Sequence, residues 1–485
     1  YMFQGGANPE GKLTTLQESQ ATGYPNDLPI KSYDFQAPLG EFGQERASFR
    51  KLKVFQYFVN DFGAELAPMV VHAPDIVPKS AEDLSVPRAA VRSNGDAGFI
   101  FFNNYVRNYA MPARPAAQFL VRLPAAEGQP STPLAVPREP VDLPSGAYFI
   151  WPFNLRVNGV TIRYSTAQVF TRLENAGAAT LYFEAIPGIP PEIAFDAHGV
   201  RSIDASSGER SASDGAIYLS HIKPGLDSSI NVVSSNGAMV HLVVLTQEQA
   251  ENAWRVRIGG SEHLLVTDQD FFADASGGRA RIWLRSTGSP RFEFAVTPPI
   301  GAPLDASLPL TRNGSAANLD RFTAEVRPRD VKLEVRQTQA TGNAPPVKLG
   351  PAPSWRPNGV AEAPSEGDLP QAAKWSITVP PGSMEGLSEL FLDVHYEGDL
   401  ARLYAEHRLL DDDFFNGRAW QVGLGRFLDA QGAGSFELSV LPLRKDAPVY
   451  FELPRCLDFS QGDQVNHLES IRLVPQYQLE IGTAR

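Results

Sequence analysis

"GAYFIWPFNL" (residues 146–155), "VTIRYSTAQVFTRL" (160–173) and "ATLYFEAI" (179–186) decide the fold class. Each run is short, apolar and aromatic, and each is bounded by turn residues. Several alternate with period two, the pattern of half-buried antiparallel strands. The same texture extends upstream through "AGFIFFNNYV" (97–106) and "AAQFLVRL" (116–123). Downstream it continues through "GAMVHLVVLT" (237–246), "EHLLVTD" (262–268), "RARIWLRS" (279–286) and "RFEFAVTP" (291–298). One short helix interrupts it: in "TQEQAENAW" (246–254) Thr246 stands three residues before Gln249, a capping-box spacing. These runs predict two β-sandwich layers or domains over 69–205 and 206–337, with a seam near "VRSIDASSGERSASDG" (200–215).

Residues 338–373 are rich in Pro, Ala and Gly and lack periodicity, so they read as a linker or long surface loop. Beyond them "KWSITVP", "LSELFLDVHYEG", "LARLYAEHRLL", "GSFELSVLPL" and "APVYFELP" read as strands of a final sandwich or jelly roll over 374–485. No fixed-period repeat is present.

The composition agrees with this. A chain of 485 residues is long enough for roughly three or four domains. Forty Gly and forty Pro with 43% apolar residues describe a folded, turn-rich protein, favouring sandwiches over helical bundles. The net charge of -12 argues against non-specific binding to nucleic acid or an anionic membrane. It suits a neutral partner such as a sugar. Cys456 is the single cysteine, which excludes an intrachain disulfide and a cysteine metal cluster. No apolar run reaches the ~18–20 residues of a membrane span, and no leader is visible at Tyr1.

Residues 1–68 differ from the rest. "YMFQGGANPEG" (1–11) reads as the end of a buried strand followed by a tight loop. A long polar segment dotted with aromatics follows. A helix is then predicted over Gln44–Phe62, with Phe49, Leu52, Phe55, Val59 and Phe62 on one apolar face and Gly63 as its stop. Strand, loop and helix make one βα unit, which cannot bury its strand alone.

Chemistry-bearing motifs are scarce. Phosphate loops, dinucleotide fingerprints, HExxH and GxSxG are missing, and eight scattered histidines form no ligand pair at helical spacing. Asp411, Asp412 and Asp413 are consecutive and are read as a solvated turn, not a calcium loop. Glu10, Glu18, Glu41 and Glu45 fall in the first segment, but nothing pairs them across a glycosidic bond; Glu45 fits a first-turn helix acid. Tyr1, Tyr24, Tyr33 and Phe35 cluster around the long loop. They either fill a core or offer rings to the apolar face of a sugar.

"YMFQGGANPEG", then "SYDFQAPLGEFGQ" (32–44) and a helix, resemble the last βα unit of the catalytic barrel in glycoside hydrolase family 35, the β-galactosidases. Members of that family show a YMF-x-GG-T-N segment and an SYDY-x-AP-l-x-E segment. Here Ala7 replaces the threonine and Phe35 the second tyrosine. The runs at 98–112, 146–168 and 182–196, and the stretch from 398 to 452, resemble the β domains and galactose-binding jelly roll that follow the barrel in large bacterial members. The resemblance implies a mainly β chain: several antiparallel β-sandwich and jelly-roll domains after the last β/α unit of a truncated TIM (β/α)8 barrel.

It also implies a retaining β-galactosidase acting on terminal non-reducing β-D-galactosyl residues of oligo- or polysaccharides, without cofactor or metal. Both catalytic glutamates of the family precede the YMF segment, so no catalytic acid carries over and this chain alone is expected to be inactive. What carries over is a substrate-binding wall: Tyr1, which matches a pocket tyrosine able to hydrogen-bond the nucleophile; Tyr33, which matches a second; and Phe35, which lacks the family's hydroxyl. The residues leave the compartment open, and a parent of this type is expected in the periplasm or outside the cell. The alternative is a non-catalytic carbohydrate-binding β-sandwich protein using exposed aromatics such as Trp420, although that residue reads first as a core tryptophan.

Overall fold

The computed structural model describes residues 2–12, 15–17, 28–124, 133–175, 177–274, 281–301, 303–316, 318–352, 354, 358–449 and 457–482. Tyr1, Glu18, Tyr24 and Cys456 lie outside them. The chain is mainly β, about 50% strand and 8% helix, with mostly antiparallel sheets.

The decisive runs form a sandwich. One face is a five-stranded sheet in the order Gln168–Asn175, Ala178–Glu184, Met239–Leu245, Ile230–Ser234, Val200–Ala205. The other is an eight-stranded sheet that runs from Glu209–Ser213 through Ala216–Ser220, Ile193–Asp196, Val160–Ser165, Tyr148–Val157, Ala97–Asn103 and Ala89–Asn94 to Val70–His72. Successive side chains of a strand point to opposite faces. In Ala97–Asn103 that sends Phe99 into the core between the sheets, with Ile162, Leu181 and Phe183. It sends Ile100 and Phe102 to the outer face, which the hairpin of Arg114–Val121 and Leu134–Leu143 covers.

A boundary at 205/206 does not hold. The strands Val200–Ala205 and Ile230–Ser234 pair in one sheet, and Glu209–Ser213 and Ala216–Ser220 form a hairpin in the other. The polar stretch 206–215 supplies an edge strand, Glu209–Ser213, and the turns on either side of it inside the sandwich, which extends to Leu245. The predicted capping box is present: Thr246 Oγ1 accepts from Gln249 N at 3.2 Å and Gln249 Oε1 accepts from Thr246 N at 3.2 Å.

Two further cores share a sheet. The strand His467–Gly482 pairs with Arg281–Thr287 through its later half and with Glu389–Glu397 through its earlier half. Its Tyr477, Leu479 and Ile481 enter a core with Trp254, Phe292 and Val296 of the sheet from Ala253–Ile258 to Thr311–Ala316. Its Leu468, Ile471 and Leu473 pack on a third core with Trp375, Leu392 and Leu438. Trp420 belongs to that third core, so it offers no exposed ring to a sugar. The described residues of 340–372 contain no long strand but are tied down, for example by Gly342 N donating to Gln371 O at 2.8 Å.

The N-terminal segment departs from expectation. Residues 2–3 form no strand, and Phe3 is exposed. A single strand end has no edge to pair with, and Gln4 makes just one parallel bridge to Leu39. No barrel is seen among the described residues. The helix spans Ala47–Leu66 and passes through Gly63. A helical glycine costs only about 1 kcal/mol, and Leu66 is buried beyond it. The buried face is Lys53, Val54, Phe58, Phe62 and Leu66. Leu52, Phe55 and Val59, placed on the buried side by the periodicity, are exposed. Among the described residues no helix is long and apolar enough to cross a membrane.

Candidate functional site

The loop 28–46 carries the two described residues of the expected sugar wall, and its shape follows from a few carboxylates. Strand Ser32–Tyr33 pairs antiparallel with Gly6–Ala7, with Gly6 opposite Tyr33. Asp34 then folds the chain back. It accepts from Gln36 N at 2.9 Å and Glu41 N at 2.7 Å and pairs with Arg46 at 2.8 Å. A side chain on Gly5 would meet Asp34 backbone at 3.0 Å, so the first glycine of the Gly5-Gly6 pair permits this close approach; Gly6 has open space.

The fold-back puts Phe35 and Gln36 at φ 47° and 55°, the left-handed region that side chains rarely adopt. Such strain persists where surrounding contacts over-determine it, and it clusters at functional sites. Phe35 is consequently held outward, 47% exposed. Tyr33 lies edge-on to it at 4.9 Å and 89°. The structure thus brings Tyr33 and Phe35 together as one ring pair. Tyr1, the third expected residue, lies outside the described residues.

Beneath the pair lies a buried acidic cluster that the sequence reading placed on a solvated turn. Asp411, Asp412 and Asp413 sit in the strand Arg408–Phe414, and Asp411 and Asp412 are each 1% exposed. Asp412 accepts from Ile30 N at 2.7 Å, Lys31 N at 2.9 Å and Ser32 N at 2.8 Å. Three backbone donors from a distant loop provide what water would provide in a turn. Asp413 accepts the Tyr396 hydroxyl at 2.8 Å.

Glu41 completes the cluster. One oxygen accepts from Ser32 Oγ at 3.2 Å; the other has no hydrogen-bond partner and lies 3.6 Å from the Arg426 guanidinium. Burial pushes its pKa up to about 7, opposed by Arg426 and Ser32 and reinforced by Asp34 and Asp412. Burial likewise raises Asp411, with Glu41 and Asp412 adding to it, and lifts Asp413 to about 7. These acids hold a loop; their partners are backbone and side-chain donors of the protein itself.

The two remaining described acids, Glu10 and Glu45, are also structural. Glu10 is solvent-facing and paired with Lys31 at 3.2 Å and Arg408 at 3.0 Å, whose hydrogen bonds lower its pKa. Glu45 precedes the helix instead of joining its first turn. It accepts from Phe271 N at 2.8 Å and pairs with Arg50 at 3.4 Å, tying the helix to the strand Asp270–Asp274. Burial lifts its pKa to about 8. Among the described residues no group of three His, Cys, Asp or Glu side chains is placed to hold a metal ion. What this region can do chemically is present two rings and a phenol on a loop fixed from below.

No protein-family model matches this chain, and no curated protein matches it. Among solved structures, a GH31 α-xylosidase from Xanthomonas citri aligns over 86% of this chain at 10% identity with a TM-score of 0.12. The chain spans 38% of that structure's length. A likeness of that size carries no argument about fold or function.

Proposed function

We propose that this chain is the C-terminal part of a retaining β-galactosidase that removes terminal β-linked galactose, with both catalytic glutamates on an upstream part of the protein. The reading rests on the "YMFQGG" and "SYDFQAPLGE" segments, which resemble family 35. The observation that carries it is the outward Tyr33–Phe35 pair, held in a strained turn over buried carboxylates. Rings edge-on to one another, one with a hydroxyl, suit the C–H face and hydroxyl rim of a galactosyl unit. The exposed Leu52 and Val59 on the helix agree with a segment that packs against further protein.

The test begins with the reading frame upstream of Tyr1. The proposal expects seven βα units and two strand-end glutamates. In a protein containing that part, Tyr33→Phe and Phe35→Ala raise KM for a chromogenic β-galactoside by about tenfold, close to 1.4 kcal/mol. A stop codon or leader directly upstream overturns it in favour of a non-catalytic carbohydrate-binding protein. Turnover by residues 1–485 alone that disappears on changing an acid within them overturns it as well.

A further inference from the structure

A cleft of about 490 Å³ opens elsewhere, where the long helix, the eight-stranded sheet and the five-stranded sheet meet. Its size falls in the range of small-molecule sites, about 300–1,000 Å³. The floor is a row of side chains across three strands: Ala90 opposite Phe101, and Phe101 opposite Ile150. The small Ala90 leaves depth beside the Phe101 ring. One row further along, Tyr148 stands at the rim, 48% exposed. Across from it the helix contributes Phe55, 50% exposed. The cleft therefore has an aromatic floor and two half-open aromatic rings at its edge.

The inner wall is polar and built. Gln168 and Glu184 are direct cross-strand partners. Gln168 Oε1 accepts from Ile150 N at 2.8 Å, which fixes the amide, and its Nε2 donates to Glu184 Oε2 at 3.2 Å. Glu184 is 5% exposed yet lines the cleft. Burial, reinforced by the nearby Glu251, pushes its pKa up to about 8, so at neutral pH it holds a proton and can donate as well as accept. Glu251, also in the wall, has Lys51 as its strongest opposing charge. Arg88 at the rim is engaged with Ala81 O at 3.0 Å. The acidic and basic groups answer one another, so the cleft offers rings and neutral hydrogen-bonding groups without an unbalanced charge.

We propose that this cleft is a binding site for a neutral, polyhydroxylated ring ligand of mono- or disaccharide size, separate from the Tyr33–Phe35 loop. A flat C–H face packs between Phe55 and Tyr148 over Phe101, and ring hydroxyls reach Glu184. A purely apolar ligand would leave the hydrogen-bonded Gln168–Glu184 wall facing carbon, and the balance of Glu251 by Lys51 gives an ion of either sign no net attraction. The site lies on two sheets and a helix, which fix it better than loops would. It does not rest on the family reading, and either can fail without the other.

Calorimetric titration of the 485-residue chain with lactose, cellobiose and methyl β-D-galactopyranoside tests it. At least one is expected to bind with Kd of about 1 mM or tighter. Phe55→Ala and Tyr148→Ala, both at half-exposed positions, each weaken it by about tenfold with the melting temperature retained. Glu184→Gln keeps an uncharged donor and stays within about threefold, whereas Glu184→Leu abolishes binding. The proposal is overturned if none of the three binds at about 20 mM. It is equally overturned if binding survives both ring substitutions, or if spermidine or an anilinonaphthalene sulfonate binds there while the sugars do not.

Discussion

Two of the places where the N-terminal segment is fastened to the β domains use unlike means. The later half of the helix is held by rings: Phe58 stacks on Phe62 at 5.5 Å, and both meet Phe99 edge-on at 5.1 and 6.0 Å. The loop 28–46 is held by the Asp412 carboxylate of the strand Arg408–Phe414. The first attachment gains from removing apolar area from water, which is non-directional and indifferent to pH. The second gains from charge-assisted hydrogen bonds to three consecutive N–H groups. It fixes the loop in one register and answers to protonation. Strength and positional definition are supplied by different chemistry within one segment.

Four experiments bear on that contrast. The largest effect is expected at the rings. Phe62→Ala removes a fully buried side chain and should cost about 3–5 kcal/mol, read as a lower urea midpoint for the first sandwich. Loss below about 1 kcal/mol would mean the helix is not fastened there.

Next comes the clamp. Asp412→Ala strands the N–H groups of Ile30, Lys31 and Ser32 and should cost about 2–4 kcal/mol locally. Hydrogen exchange of residues 28–46 should accelerate while the first sandwich keeps its protection. Uniform acceleration across both would erase the distinction between the two attachments.

The third is a pH effect on the loop attachment. Folded Glu41 keeps its proton to about 7, whereas a free glutamate releases it near 4.5. Between those values the folded state binds more protons, so stability falls as pH rises. The contribution is full below about 4.5 and is lost by about 7. Protease cleavage within 28–46 should therefore be slower at pH 5 than at pH 8, and Glu41→Gln should flatten the difference. The opposite slope would remove Glu41 from the account.

The smallest effect is expected at Phe35. Phe35→Asn places a residue tolerant of φ 47° in the turn and should stabilise by about 0.5–1 kcal/mol, measured as a rise in melting temperature. If the ring is kept for a ligand, the same change weakens galactoside binding in the protein with its upstream part.

Strands were legible because a period of two survives in short windows: "VTIRYSTAQVF" alternates visibly, and its inward residues Val160, Ile162 and Val169 are buried. The helix was legible as a helix, but its packing face was not. Phe49, Leu52, Phe55 and Val59 form one apolar row; Val54, Phe58 and Phe62 form another. A sequence does not say which row meets a sheet. The polar run 206–215 read as a seam, but Glu209–Ser213 within it is an edge strand of polar side chains, and a polar edge strand carries no apolar alternation to announce it. Asp411–Asp413 were illegible for a different reason. Their backbone partners lie some 380 residues away, and consecutive acids with no visible donor look solvated. Gln168 and Glu184 left a fainter sign, each a polar residue at the edge of an apolar run.

The strand His467–Gly482 carries a consequence for how the chain is made. Arg281–Thr287 must wait for residues 476–482 to complete its sheet, a delay of roughly two hundred residues. At ribosomal rates of about 5–20 residues per second, that is on the order of ten to forty seconds. Throughout that interval the core around Trp254 and Phe292 lacks Tyr477, Leu479 and Ile481. The first sandwich, complete by Leu245, can close as it emerges, whereas the core around Trp254 and Phe292 is finished late, together with the sheet around Glu389–Glu397.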